Sequence, residues 1–266
     1  MTVGIIIQTR TGSTRLPAKV MMKADDKLLM IDYVINQLKH SKLCDDVVIA
    51  TTNLQRDDVV FNHVNNRNIP CFRGDEKNVL ERHYQCAKKY AFSTIVRIPS
   101  DKPLIDPTIV DSVIEKFQSN SYDYLSNFFI DVNDNDRFIP SYPSGTEVEI
   151  FSFTALETAW KKAELPSERE HVTPYFYKNK EVFKQTNFDN STDLSGIRCT
   201  LDTNDDYTLI KKIIHKINHR PLLLNDVLKL FEKEPELSQI NKHVKHDGYL
   251  RSLKSDKKFL KSKLKK

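Results

Sequence analysis

The chain has 266 residues, of which 39% are hydrophobic, and its formal net charge at pH 7 is +5. That length suits one large α/β domain, alone or with a small appendage, and it is enough to bury a substantial core. The charge is uneven: residues 241–266 contain ten Lys plus Arg against two Asp, so the remaining 240 residues carry a net charge of −3. The mildly acidic main body argues against a nucleic-acid-binding surface over the whole domain.

The cysteine pattern and the distribution of apolar residues indicate an intracellular protein. The four cysteines form no CxxC pair, and we expect them to be reduced, buried thiols: Cys44, Cys71, Cys86 and Cys199. No stretch approaches eighteen apolar residues, and the amino terminus lacks a basic segment followed by an apolar run. We therefore expect a cytoplasmic protein without a membrane span.

Strands and helices alternate over the first 120 residues. Apolar runs predict strands at 3–7, 47–51, 69–72 and 94–98, and apolar residues spaced three and four apart predict helices at 29–40, 56–66 and 79–90. The pair Asp106-Pro107 is typical of a helix start, with Asp as the cap and Pro in the first turn. This alternation predicts a parallel sheet with helices on both faces.

The alternation ends near residue 122. We predict a strand at 122–127, an irregular loop or arm at 128–145, an edge or antiparallel strand at 145–153, and strands at 182–188 and 197–201. Ser167 to Glu170 has the pattern of a capping box, and Asn204 is expected to cap a further helix. The predicted organisation is one domain at 1–235 and a basic C-terminal tail at 241–266. For the tail, disorder is favoured over a basic amphipathic helix that binds a membrane surface or a partner.

The loop after the first strand carries the strongest functional signal. It reads Gln8-Thr-Arg10-Thr-Gly12-Ser13-Thr-Arg15-Leu-Pro-Ala-Lys19, so three cations directly follow an apolar strand. Open α/β sheets bind ligands at the carboxyl ends of strands, where Gly permits close backbone approach and Arg and Lys suit phosphate oxygens. The loop matches neither GxxxxGK[ST] nor GxGxxG. We predict a site for a chain of phosphates; the simpler alternative is a solvated surface loop.

Two aspartates are placed to hold a metal ion. Asp101 follows the strand predicted at 94–98, and Asp202 follows the strand predicted at 197–201. Mg²⁺ is typically held by one or two carboxylates together with substrate phosphates. The loop and the two aspartates together predict a magnesium–nucleotide site. Taken singly, Asp101 also fits a turn before Pro103, and Asp202 also fits the polar start of a helix.

Seven motifs resemble, in this order, those of cytidylyltransferases: QTRTGSTRLPAKV, FRGDEKNVLERH, VRIPSDKPLIDP, DYLSN, YPSGTEVEIFS, SEREHVTPY and RCTLDTNDDY. The resemblance is strongest to spore coat polysaccharide biosynthesis protein F, a relative of CMP-KDO synthetase and acylneuraminate cytidylyltransferase. It implies a Rossmann-like, three-layer α/β nucleotidyltransferase fold (GT-A-like) with a mostly parallel central sheet and an inserted arm. It also implies transfer of CMP from CTP to an acidic sugar or related acceptor, with release of pyrophosphate, in polysaccharide or glycan precursor synthesis.

The resemblance also assigns roles to residues. It implies that Arg15, Lys19 and Asp101 are catalytic, and that Asp101 and Asp202 hold Mg²⁺. The residues that it implies for nucleotide binding are Gln8, Arg10, Gly12, Ser13, Arg15, Lys19 and Arg73. Those that it implies for the acceptor are Tyr142, Gly145, Glu147, Arg169 and His171. Relatives use an excursion near 128–145 to build a dimer, which implies a homodimer here.

Two alternative functions stay open at this point. Sugar nucleotidyltransferases that use another nucleoside triphosphate share this fold, and so do GT-A glycosyltransferases. A DxD motif would favour a glycosyltransferase, but Asp134-Asn-Asp136 lies in the irregular segment. A protein of another class, a non-catalytic nucleotide- or polyanion-binding protein, would use the basic tail and would not need two metal-binding aspartates.

Overall fold

The computed structural model describes residues 2–134, 136–244 and 248–263. The strands of this part are β1 (Val3–Gln8), β2 (Asp46–Thr52), β3 (Cys71–Gly74), β4 (Thr94–Pro99), β5 (Tyr124–Ser126), β6 (Phe128–Asp131), β7 (Arg137–Pro140), β8 (Glu149–Ser152) and β9 (Gln185–Asn187). Its α-helices are α1 (Met30–Leu38), α2 (Asp58–Asn65), α3 (Val79–Lys89), α4 (Pro107–Ser119), α5 (Phe153–Lys162), α6 (Pro166–His171), α7 (Pro174–Lys178), α8 (Asn204–Lys216), α9 (Leu224–Lys233) and α10 (Gly248–Lys263).

Seven strands form one mostly parallel sheet in the order β3-β2-β1-β4-β8-β5-β9. Only β8 runs against its neighbours, since it is antiparallel to both β4 and β5. The chain moves outward from β1 to β3 and then returns to the other side of β1 at β4. Such a reversal of strand order leaves a crevice beyond the carboxyl ends of the two strands, where open α/β sheets bind their ligands.

Alternate residues of the strands enter two separate cores. Ile5 and Ile7 of β1 pack with α1, α2 and α4, whereas Ile6 packs on the opposite face with α3, α5 and α7. A third apolar cluster joins α8 and α9 to the loop after β1 through Leu16. The prediction of a mostly parallel sheet with helices on both faces is confirmed, because continuous apolar strands are buried on both sides.

One predicted strand is absent from the sheet. Residues 197–201 form an extended segment with a single bridge, between Arg198 and Ser144. Its remaining backbone bonds go to loops, including a 2.8 Å hydrogen bond from Leu201 N–H to Asp101 C=O. The strand predicted at 145–153 is antiparallel as expected, but the expectation of an edge is wrong because β8 lies between β4 and β5.

The helix caps differ in two places from those predicted. Thr203, rather than Asn204, caps α8, since its hydroxyl accepts a hydrogen bond from the Asp206 N–H. The prediction of a capping box at 167–170 is wrong as well. The carboxylate of Glu168 accepts the hydrogen bonds of the two N–H groups at positions 164 and 165 instead. The predicted cap Asp106 is confirmed by its 2.7 Å bond from Thr108 N–H.

Two segments are more ordered than the sequence suggested. In the arm at 128–145, β6 and β7 form an antiparallel hairpin on which Phe138 and Ile139 are exposed. The expectation of a disordered tail is wrong for residues 248–263, because α10 packs against α6 and buries Ser252 and Asp256. The last three residues of the predicted tail, 264–266, lie outside the described residues.

Two expectations about thiols and membranes are resolved for the described residues. All four cysteines are free, but only Cys86 and Cys199 are fully buried, while Cys44 and Cys71 are partly exposed. None of the helices in this part of the chain combines the length and apolar character that crossing a bilayer demands.

Candidate active site

A cleft of about 420 Å³ opens at the carboxyl ends of β1 and β4. The loop after β1 forms one side, the turn after β4 forms the floor, and α6 and α10 contribute the opposite wall. Eight residues singled out from the sequence line it: Gln8, Arg10, Gly12, Ser13, Arg15, Lys19, Asp101 and Asp202. A ninth, His171, lines the wall on the α6 side. The switch in strand order therefore brings the loop after β1 and both aspartates to one place.

The loop after β1 is held by a buried carboxylate. The N–H and hydroxyl of Thr11 each donate a 2.7 Å hydrogen bond to Asp57, which is fully buried beneath the loop. Burial favours the neutral form of Asp57, but the hydrogen bonds from Thr52 and Thr11 outweigh it and lower its pKa. A further bond joins Ala18 N–H to Thr11 C=O across the loop. These contacts fix the backbone between Arg10 and Lys19 before any ligand binds.

Lys19 joins the two aspartates at the centre of the cleft. Its Nζ lies 3.0 Å from Asp101 Oδ2 and 2.6 Å from Asp202 Oδ1. Arg15 approaches the other oxygen of Asp202 at 3.0 Å. Burial alone would lower the pKa of the Lys19 ammonium, but the charges of the two aspartates dominate and raise it. Lys19 is therefore a fixed cation at neutral pH.

Asp101 remains ionised for the same reason. Burial opposes its charge, but Lys19 and then Lys102 stabilise the carboxylate, so its pKa lies below the ordinary value. Lys102 itself is buried and pairs with Glu147 at 2.9 Å. Two oppositely charged pairs thus stand side by side under the floor of the cleft.

Asp202 reaches the cleft through tertiary contacts. The Leu201 N–H bond to Asp101 C=O ties the extended segment to the turn after β4. Arg198 then contacts Asp202 at 3.3 Å and Asp206 at 2.8 Å, and Asp206 also accepts a hydrogen bond from the Asp202 N–H. Asp202 is therefore held from its backbone and its side chain at the start of α8.

The two carboxylates fit a divalent cation. Asp101 Oδ2 and Asp202 Oδ1 converge on one point from two sides, as their shared contact with Lys19 Nζ shows. Oxygen ligands of this number, completed by phosphates and water, are the set that Mg²⁺ prefers. Within the described residues no third His, Cys, Asp or Glu joins them to form an all-protein metal cage. The donor set suits a metal that arrives with its nucleotide.

The wall opposite the loop after β1 is built by α6 and α10. The Ser252 hydroxyl lies 2.7 Å from His171 Nε2 and donates a 3.0 Å hydrogen bond to Glu170. Asp256, one turn further along α10, accepts a 2.9 Å bond from the Ser167 N–H. Burial lowers the pKa of His171 to about 4, with Glu170 acting in the opposite direction. His171 is therefore a neutral imidazole at physiological pH.

The backbone beside His171 is strained. Val172 has φ 73° and ψ −52°, and the Thr173 N–H bonds to His171 C=O at 2.8 Å. This is the geometry of a γ-turn that is rare and costly, above all for a β-branched residue. The turn fixes the direction in which α6 presents His171 to the cleft.

Comparison with known proteins agrees with this arrangement. The sequence profile of a family described as cytidylyltransferase matches residues 4–247. The chain belongs to the cytidylyltransferase family. The solved structure of a cytidylyltransferase from Leptospira borgpetersenii serovar Hardjo-bovis is 33% identical with a TM-score of 0.82, covering 92% of this chain and 100% of that one.

Two curated relatives span nearly the whole cytidylyltransferase. An uncharacterized protein of Methanocaldococcus jannaschii is 35% identical over 92% of this chain and 96% of its own length. The spore coat polysaccharide biosynthesis protein SpsF of Bacillus subtilis is 28% identical over 87% of this chain and 94% of its own length. The resemblance inferred from the seven motifs is confirmed, and so is the assignment to the nucleotidyltransferases.

Five residues singled out from the motifs lie outside the cleft of this cytidylyltransferase. Each already has polar partners or is packed into the protein: Arg73 bonds to Thr52 C=O and pairs with Asp58, Tyr142 stacks on Phe188, Gly145 packs on the backbone of Cys199, Glu147 pairs with Lys102, and Arg169 bonds to Ala163 C=O. The structure therefore places them around the site, and their predicted roles in binding stay predictions.

The sequence reasoning missed three groups of the cleft. Ser252 and Ser255 escaped notice because α10 was taken for a disordered tail. Arg82 escaped because the motif FRGDEKNVLERH was used only as a family marker. A signal was present, since Arg82 stands three residues after Val79 and four before Cys86 on the buried face of a helix. An Arg at such a position calls for an explanation.

Proposed function

We propose that this cytidylyltransferase transfers CMP from CTP to an acidic sugar or a related acceptor, with Mg²⁺ as the metal and pyrophosphate as the second product. The convergence of Lys19, Arg15 and two aspartates in one cleft supports it most directly. A metal-bound triphosphate requires cations beside carboxylates, because the cations bind its phosphate oxygens and the carboxylates bind its metal ion.

The residues would act mainly by position and charge. An acceptor hydroxyl oxygen attacks the α-phosphorus in line and gives up its proton to water. The bond between that phosphorus and the bridging oxygen of the β-phosphate breaks, and pyrophosphate takes that oxygen with its electron pair. Lys19 and Arg15 neutralise the charge that develops on the departing group. Asp101 and Asp202 would hold Mg²⁺, which supplies further charge neutralisation when bound.

The loop would bind the triphosphate before the reaction begins. Arg10 is 40% exposed and pairs only loosely with Glu76, at 3.6 Å, so its guanidinium is available to a phosphate. Gly12 keeps the backbone open beside it, since a Cβ there would meet Arg56 at 3.0 Å. Gln8 is oriented from behind, because its side-chain oxygen accepts a hydrogen bond from the buried Arg97.

The acceptor and the assembly are the finer parts of the proposal. The wall of Glu170, His171 and Ser252 offers hydroxyl, imidazole and carboxylate groups that suit the hydroxyls of a sugar. The motif resemblance to enzymes of acidic sugars supports the acceptor class. The exposed Phe138 and Ile139 of the β6–β7 hairpin support a homodimer through this arm.

Pyrophosphate release tests the proposal. The full-length protein is incubated with Mg²⁺, each of the four nucleoside triphosphates and a panel of acidic sugars. We expect release with CTP and at least one sugar, and a loss of about 10²–10³ in rate for Asp101→Asn. Asp58→Asn, a change at a half-exposed aspartate outside the cleft, is the matched control and should keep full activity. Absence of release with every pair, or normal turnover by Asp101→Asn, contradicts the proposal.

A further inference from the structure

Arg82 is a buried cation that pairs with no carboxylate in the part of the chain that the structure describes. It is 1% exposed, and its side chain reaches the cleft from α3. Within residues 2–134, 136–244 and 248–263, the only hydrogen bond of the side chain runs from one terminal nitrogen to Asp75 C=O, at 2.8 Å. Its Nε is buried and bonds to nothing in the same part of the chain. A guanidinium in such a position is costly unless an anion joins it.

A glycine beside Arg82 leaves space for its side chain. Gly74, at the end of β3, lies against the stem of Arg82, and a Cβ at that position would be 3.0 Å from Arg82 Cγ. Val79 and Leu80 bury the start of the same helix in the core. The stem is therefore packed, and the guanidinium is held in one place at the edge of the cleft.

The charges around Arg82 also favour an anionic ligand. Burial, and after it the charge of Arg10, lower the pKa of Arg82 to about 10. Asp57, Asp75 and Glu76 act in the opposite direction without forming an ion pair with it. Two neighbouring cations that face one cleft match a group with several negative charges better than a single carboxylate.

We propose that Arg82 binds the terminal phosphates of the nucleoside triphosphate, and the pyrophosphate product after transfer. The proposal rests on the proposed function, which brings a triphosphate into this cleft. It adds a fourth cation to Arg10, Arg15 and Lys19. Whereas Lys19 and Arg15 are engaged with the aspartates, Arg82 has no such competitor, so its binding to phosphate costs no existing ion pair.

Inorganic pyrophosphate and CMP are the probes, measured by calorimetry on the full chain with Mg²⁺. Arg82→Met keeps the length of the side chain and removes its charge. We expect pyrophosphate to bind about 10- to 100-fold more weakly, as for loss of a charge-assisted hydrogen bond, and CMP to bind as in the wild type. The melting temperature without ligand should not fall, because an uncompensated charge has been replaced by an apolar group.

Arg67→Met is the matched control, since Arg67 does not line the cleft, pairs with Asp32 and has no predicted role in binding. It should leave pyrophosphate binding unchanged. Equal pyrophosphate affinity of Arg82→Met and the wild type overturns the inference, and so does a parallel loss of CMP binding and thermal stability. A wild-type protein that binds pyrophosphate through Arg82 but releases none from any triphosphate supports the inference and rejects the proposed function.

Discussion

Replacing Lys19 by Met removes the cation that two carboxylates share. Lys19 is buried, with 11% of its side chain exposed, and Asp101 has 25% exposed. At 3.0 Å and an effective dielectric constant of about 20, the attraction between one such pair is about 5.5 kcal/mol. Loss of one partner from a buried pair costs about 3–5 kcal/mol in proteins.

The expected loss in the free energy of unfolding lies near the lower end of that range. Asp202 keeps Arg15 at 3.0 Å and Arg198 at 3.3 Å, so its charge remains compensated. Asp101 keeps only the more distant influence of Lys102. We therefore expect Lys19→Met to lower the free energy of unfolding by about 3 kcal/mol at pH 7.

The loss should depend on pH in a defined direction. In the wild type the pKa of folded Asp101 lies below the ordinary value of 3.8. Its contribution to stability is therefore complete above pH 3.8 and disappears as the pH falls through the folded pKa. The pKa of folded Lys19 lies above 10.5, so its contribution is complete below pH 10.5. The effect of Lys19→Met is therefore largest between these values and shrinks in acid.

Urea unfolding followed by circular dichroism at pH 7 and at about pH 2, which lies well below the ordinary Asp pKa, measures this difference. Lys27→Met, at an exposed lysine in the same half of the chain, is the control and should change stability by less than about 0.5 kcal/mol. Addition of Mg²⁺ should stabilise Lys19→Met more than the wild type, because the ammonium no longer competes for the carboxylates. A stability equal to that of the wild type at pH 7, or a loss that does not change with pH, refutes the reasoning.

Three further predictions concern the wall and the turns around the cleft. Removal of α10 should raise the pKa of His171 from about 4 toward 6.5, because burial is what lowers it; an NMR titration that still gives a value near 4 contradicts this. Val172→Gly should cost at least about 1 kcal/mol less than Val60→Gly in urea unfolding, since both valines are fully buried but only the first has a strained, positive φ. Gly145→Ala should lower stability by about 2–4 kcal/mol, because φ is 99° and the new Cβ would lie 2.5 Å from a backbone carbon. Gly196→Ala, where the space is open, should be nearly neutral, and equal melting temperatures for the two glycine variants would count against the argument.

The first half of the fold follows from local patterns. The apolar runs of β1, β2 and β4 and the helical spacing of α1, α3 and α4 are set by neighbouring residues, and each element appears within a few residues of its predicted bounds. The parallel orientation of these strands could be inferred from the same alternation, since parallel strands need crossover helices, but their order in the sheet could not. The cations of the loop and Asp101 were found because they stand next to such strands.

The rest depends on contacts between distant residues. The segment before Asp202 has the composition of a strand, but its partners are loops near Ser144 and Asp101. α10 contains many lysines, and it is ordered through contacts to α6 that lie more than eighty positions earlier. Arg82 reads as an ordinary charged helix residue until the cleft is seen beside it. None of these pairings has a signature within one window of sequence.

The helix α10 contributes to the wall of the cleft, whereas the charged residues of the cleft come from earlier parts of the chain. The family match ends at residue 247, and α10 begins at Gly248. The cations and aspartates of the cleft all come from earlier segments, whereas Ser252 and Ser255 enter the wall from α10. Variation in this one late helix would therefore change the wall and leave the cations and aspartates of the cleft in place. Under the proposed function, exchange of this helix between relatives would change which acceptor the enzyme uses.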